Sequence, residues 1–407
     1  MEKPVSPSPA PGPATGMPPT GPLPAPAPAP ARLELPEVRI GFLPLSDCAS
    51  LIMAAELGLD RRHGVQIVPS RIASWAGIRD RLLAGQIDLA HALYGLVYGV
   101  HLGLGSAQRD MAVLMTLNRN GQAITLSRAL AGQGAVDGPG LAALLRRSPG
   151  LSPTLAQTFP TGTHALWLNY WLAASGIHPL RDARVITVSP SQMVAGLQAG
   201  TMDGFCAGEP WHQLALDQGV GITACTSQAI WPDHPEKVLA GTADFVRRQP
   251  QVAQAVIRAT LEAARWIEAS DDNRRHTARI LADKAYVGLP EAVLAPRLLG
   301  RYEDGLGRQW QDPQGLRFFG DGALNFPYLS DGMWFLTQFK RWGWLSRHPD
   351  YLALATQVQQ TALYLDAAAG LDLAPPDSLC RRSTLIDGRV WDGNAPAAYA
   401  DSFDLHG

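Results

Sequence analysis

The sequence predicts an α/β protein of two doubly wound lobes in series, joined by hinge segments and facing each other across a ligand cleft. Three observations carry that expectation. Strand and helix signals alternate in two separate runs along the chain. One phrase occurs in both runs. Donor side chains collect at strand-to-helix junctions, where open α/β sheets bind ligands.

The first run opens with "VRIGFLPL" (38–45), a short apolar stretch that reads as a buried strand. "DCASLIMAAELGLDRRHG" (47–64) then reads as one helix, with Asp47 as N-cap and Gly64 as stop. "VQIVPSRI" (65–72) is a second strand, "WAGIRDRLLAGQ" (75–86) a helix and "IDLAHAL" (87–93) a third strand. The second run repeats this grammar. "THALWLNYWLAASGI" (163–177) is a helix, "RVITVSP" (184–190) a strand, "SQMVAGLQAGT" (191–201) a helix and "MDGFCAG" (202–208) a strand. The extended piece "GQAITLS" (121–127) joins the two runs.

The shared phrase is a helix, Ala-Gly-x, a hydrophobic residue, then Asp. It stands as "LLAGQIDLA" (82–90) and "LQAGTMDGF" (197–205). A helix-to-strand turn of this composition is common, but two copies at corresponding places point to duplicated lobes around one ligand. The expected layout is residues 37–120 and 228–370 in the first lobe and 121–227 in the second, with the hinge segments. From about 243 to 281 the pattern turns helical, and 282–360 reads as helices and loops. Residues 371–407, rich in Pro, Ala and Asp, read as a peripheral tail.

Composition narrows the function. A net charge of −2 on 407 residues gives no basic footprint for nucleic acid. Cys48, Cys206, Cys225 and Cys380 are far apart, with no Cys-x-x-Cys pair for zinc or redox work. Free buried cysteines fit a reducing compartment. Residues 1–36 read as a disordered, proline-rich leader, because twelve prolines in the first 32 residues break up any apolar run. A secretory signal needs roughly 7–15 unbroken apolar residues, so a cytoplasmic location is expected. No stretch reaches the roughly 18 apolar residues of a membrane span.

Four side chains carry the chemistry. Trp75 starts the second helix, Gln122 stands where the first lobe hands over to the second, and His164 sits in a helix's first turn. Lys237 follows the second lobe in "DHPEKVLAG", crowded by Asp233, His234 and Glu236. An indole, an amide, an imidazole and an ammonium are all donors, which suits a small oxyanion at helix N-termini. Taken singly, each has a bland reading: packing for Trp75, surface for Gln122 and Lys237, capping for His164. His91, His212 and His234 lack metal-ligand spacing and read as structural or surface residues. No nucleophile elbow, phosphate loop or zinc-protease motif is present, so catalysis, cofactor and metal are not expected.

Long ordered phrases, among them "ASWAGIRDRLLAGQIDLAHAL", "NGQAITLS", "THALWLNYWLAASGIHP", "QMVAGLQAGTMDGFCAGEPW" and "IWPDHPEKVL", resemble the nitrate-binding proteins of the nitrate/bicarbonate solute-binding family. The resemblance runs from about Val38 to at least Trp266 and more weakly to about residue 370. It implies a type II periplasmic-binding-protein-like fold that closes by a hinge on one anion. It implies that nitrate or nitrite meets Trp75, Gln122, His164 and Lys237, with Pro190 and Gly208 lining the cleft. Bicarbonate-binding relatives differ at the lysine and employ a metal, so Lys237 argues against both. The proline-rich start resembles the cytoplasmic NasS-type nitrate sensors more than the transport members. The implied partner is then a NasT-type RNA-binding antiterminator, sequestered without ligand and released by it. The alternative is the nitrate-binding component of an ABC importer.

Overall fold

The computed structural model describes residues 35–407, which form one unit. Most of the expected leader, residues 1–34, lies outside the described residues. Ten strands build two sheets of the same plan. They are β1 (Glu37–Phe42), β2 (Gln66–Arg71), β3 (Leu89–Leu93), β4 (Met111–Thr116), β5 (Gln122–Ser127), β6 (Thr154–Gln157), β7 (Arg184–Thr187), β8 (Gly204–Gly208), β9 (Gly221–Thr226) and β10 (Lys237–Thr242). One sheet runs β2-β1-β3-β10-β4 and the other β7-β6-β8-β5-β9. In each, the first three strands are parallel and the fourth runs against both its neighbours. The chain crosses between lobes twice, over residues 117–121 and 227–236.

The shared phrase now has a physical reason. Gly85 and Gly200 both adopt φ +67°, the left-handed turn that stops each helix. Each following Asp then fastens the head of its lobe's first parallel strands. Asp88 Oδ2 accepts the Arg39 N–H at 2.8 Å, and Asp88 N–H returns a bond to Arg39 O. Asp203 Oδ2 accepts the Thr154 N–H at 2.8 Å, and Asp203 N–H bonds Thr154 O. The two lobes therefore match down to single hydrogen bonds.

Two expectations need correction. The helix expected over 47–64 is broken: Gly58 takes φ +65° and separates Ala49–Glu56 from Leu59–Arg62. Asp47 caps nothing there, because its carboxylate is drawn into the site described below. The tail expected at 371–407 is not peripheral. Its hairpin (Ser383–Thr384 with Val390–Trp391) and short helix (Pro396–Asp401) bury Leu385, Trp391, Tyr399 and Phe403 in the core. Trp391 Nε1 donates to Ser330 O at 2.9 Å, and Tyr170 of the second lobe donates to Asp387 at 3.0 Å. The region 282–360 holds the expected helices (Glu291–Leu298, Leu329–Arg341, Tyr351–Val358) and one hairpin. Among the described residues no helix is long and apolar enough to cross a membrane.

Trp391→Ala is expected to cost about 3–5 kcal/mol, the usual price of emptying an aromatic site in a core. Denaturant unfolding checks it. A loss of under about 1 kcal/mol, as for a surface residue, would restore the peripheral reading.

Candidate anion site

The two crossing strands place the key residues. β10 begins with Lys237, paired to Leu93 at the end of β3; β5 begins with Gln122, paired to Gly208 at the end of β8. Lys237 and Gln122 thus occupy the same place in the two lobes. So do Trp75 and Pro190, each the first residue of a helix behind a serine at the N-cap. Ser74 Oγ accepts from Gly77 N–H at 3.1 Å and fixes where Trp75 points its helix. His164 is the second residue of the helix Thr163–Ala174.

Four of the expected residues meet in one buried cluster. Trp75, Gln122, His164 and Lys237 are each at most 1% exposed. Thr158 Oγ1 donates to His164 Nδ1 at 2.6 Å, and His164 Nε2–H donates to Gln122 Oε1 at 2.8 Å. Gln122 Nε2 donates to Asp47 Oδ2 at 3.2 Å. Lys237 Nζ donates to the same oxygen at 2.8 Å, and its Nζ lies 5.6 Å from the centre of the Trp75 ring. Gly208 closes the cluster: a Cβ there would sit 3.0 Å from Gln122 Oε1 and 3.3 Å from Asp47 Oδ2. Pro190 is related to them by its place in the fold and not by a bond.

Three further residues enter that sequence reasoning did not assign. Asp47 anchors the first lobe's side, also accepting from His91 Nε2 at 2.8 Å. His91, expected to be structural or surface, is fully buried beside Trp75, ring centres 5.5 Å apart. Glu236 accepts from Lys237 Nζ at 2.9 Å and from Trp167 Nε1 at 2.8 Å. His212 is structural as expected, holding Thr125 Oγ1 and Ala207 O at 2.6 Å. His234 is buried on Ser227 Oγ at 2.7 Å.

Lobe-to-lobe fastenings surround the cluster. The corner "GEPW" finds its reason here: Glu209 O accepts Ser46 N–H at 2.8 Å, and Glu209 Oε1 meets Arg297 Nε at 3.0 Å. On another side the helix Tyr94–His101 presses Gly95 and Gly99 onto Thr161 of the second lobe.

The charges are set by burial against pairing. Burial pushes the Asp47 carboxyl up, but the Lys237 charge and the His91 hydrogen bond outweigh it and hold it well below its usual range. Burial lowers the Lys237 ammonium, yet Asp47 and Glu236 raise it further, so it stays charged. Burial, then the nearby Lys237 charge, drives His164 well below its ordinary value, so it is a neutral imidazole. Trp75 Nε1 is buried without any acceptor. An orphaned donor beside a charged lysine and neutral polar side chains can take the oxygens of a small anion.

Two matched lobes, crossing strands and a donor cluster at their junction define a two-lobed solute-binding protein. The chain belongs to the NMT1-like family, whose model matches residues 31–282. It is 35% identical over 386 residues to the nitrate/nitrite binding protein NrtA of Synechocystis sp., covering 91% of this chain and 86% of that one. NrtA of Synechococcus elongatus is 36% identical over 386 residues, covering 90% and 86%. The crystal structure of the periplasmic nitrate-binding protein NrtA from Synechocystis matches with a TM-score of 0.86 at 34% identity, covering 91% of this chain and 99% of that chain. The chain therefore has the periplasmic-binding-protein-like fold of the nitrate-binding proteins.

Proposed function

We propose that this chain binds nitrate or nitrite between its lobes and serves as the binding component of an importer. The observation that carries the anion reading is the pairing of a fully buried Lys237 with the unpartnered Trp75 indole N–H. The anion takes its oxygens to Trp75, Gln122, His164 and Lys237; the last three exchange present hydrogen bonds for bonds to it, and the Trp75 indole N–H gains its first acceptor. A planar monovalent anion adds the least negative charge to a site whose one ammonium already faces Asp47 and Glu236, whereas a divalent one adds twice as much. The import role is supported by relatives described as nitrate-binding proteins and nitrate-import components.

Calorimetric titration of the purified chain tests the ligand. Saturable heats with nitrate or nitrite and none with chloride are expected. Equal binding of chloride, or tight binding of bicarbonate only, would sink the reading. The cytoplasmic sensor with a NasT-type antiterminator partner stands second, since it rests on the resemblance alone. A tagged protein in its own cytosol separates the two: a small protein released only by nitrate favours the sensor, and recovery with membrane transporter subunits favours import.

A further inference from the structure

Glu236 is the member of the site that the anion reading leaves unused. It faces Lys237 Nζ at 2.9 Å and Trp167 Nε1 at 2.8 Å; His164 Nε2 and His234 Nδ1 each lie 3.5 Å from one of its oxygens. The Asp47 carboxylate and the Cys206 thiol are its other titratable neighbours. All are buried. The histidines bring no positive charge: burial holds His164 and His91 below their ordinary values and takes His234 to about 3. Two carboxylates thus share one ammonium before any anion arrives. A monovalent anion makes three negative groups around one lysine, in a space closed to solvent.

The two carboxylates are unequal partners. Asp47 accepts from Lys237, His91 and Gln122, which fixes its charge. Glu236 has one ion partner and one indole donor. Burial already lifts it above the ordinary carboxylate value, and Lys237 and Trp167 only partly offset the rise. Charge in a buried site is relieved most cheaply where it is least solvated by donors.

We infer that the anion enters together with a proton, and that Glu236 is the residue that takes it up. The inference rests on the nitrate reading above. One proton moves from solvent to a Glu236 oxygen, and no other bond changes. The neutral acid then becomes a donor instead of an acceptor-only group. Linkage fixes the sign: the complex holds more protons than the free protein, so affinity falls as pH rises.

Calorimetry of the full chain with sodium nitrate, in buffers of different ionisation enthalpy from about pH 6 to pH 9, reads the proton directly. Uptake of about one proton near pH 7 is expected, with affinity falling by up to about tenfold per pH unit on the alkaline side. Glu236→Gln is expected to bind with no uptake and with affinity flat in pH, exceeding the wild type at the alkaline end. Zero uptake by the wild type across the range overturns the inference, whether or not Glu236→Gln folds. Undiminished uptake in Glu236→Gln also overturns it and moves the proton to His91 or His164. Absence of any nitrate binding at every pH sinks the nitrate reading and this inference with it, an outcome distinct from binding without a proton.

Discussion

Lys237→Ala is expected to weaken nitrate binding by roughly a hundred- to a thousandfold. Lys237 is the ammonium of the site, and its removal leaves Asp47 and Glu236 buried without a counter-ion. Truncating one partner of a buried, hydrogen-bonded charge pair costs a complex about 2–5 kcal/mol, and about 1.4 kcal/mol is tenfold in affinity. The incoming anion then meets carboxylates instead of an ammonium. Calorimetric titration measures the loss, and circular dichroism checks that the fold persists. A variant that binds nitrate within about threefold of wild type would remove Lys237 from the site.

Gly95→Ala is expected to hold the lobes apart by one methyl group. A Cβ at Gly95 overlaps the carbonyl oxygen of Thr161, a backbone atom that cannot rotate away. Gly95 belongs to the first lobe's helix Tyr94–His101 and Thr161 to the second lobe. The cost of overpacking, about 1–3 kcal/mol, falls on the contact between the lobes and not on either sheet. Affinity should drop by up to about a hundredfold, while the unfolding midpoint hardly moves and small-angle scattering shows no contraction with nitrate. Unchanged affinity with a lowered unfolding midpoint would make the contact ordinary core packing. Gly99→Ala should do less, since it meets the Thr161 hydroxyl at 2.5 Å, and a side chain can turn.

What was legible in the sequence was local. The repeated Ala-Gly-x-φ-Asp phrase announces its turn because glycine supplies the positive φ and Asp the acceptor. β2 and β3 fall within the expected runs and β1 begins one residue ahead of its own, because short apolar stretches mark each of them. The resemblance groups Trp75, Gln122, His164 and Lys237; the fold links the last three through hydrogen bonds by way of Asp47 and sets the Trp75 ring beside Lys237. Asp47 stayed hidden because its partner Lys237 stands 190 positions away, and a pattern in sequence reports only near neighbours. Glu236 looked like one more charge beside Lys237, since nothing local says that Trp167 and His164 will enclose it. β6, four residues long, offers too little periodicity to be seen. The tail misled because an average over Pro, Ala and Asp conceals three aromatics that reach the core.

The placement of β10 bears on how this chain is made. Lobe 1 is begun first, yet its sheet lacks the strand between β3 and β4 until residues 237–242 leave the ribosome. Until then β3, "LAHAL", has an open edge where β10 is to pair, the kind of surface that pairs with other chains. The halves are thus not separate folding units finished in order of synthesis. A nascent chain stalled before β10 needs shielding for the whole time it takes to translate the second lobe.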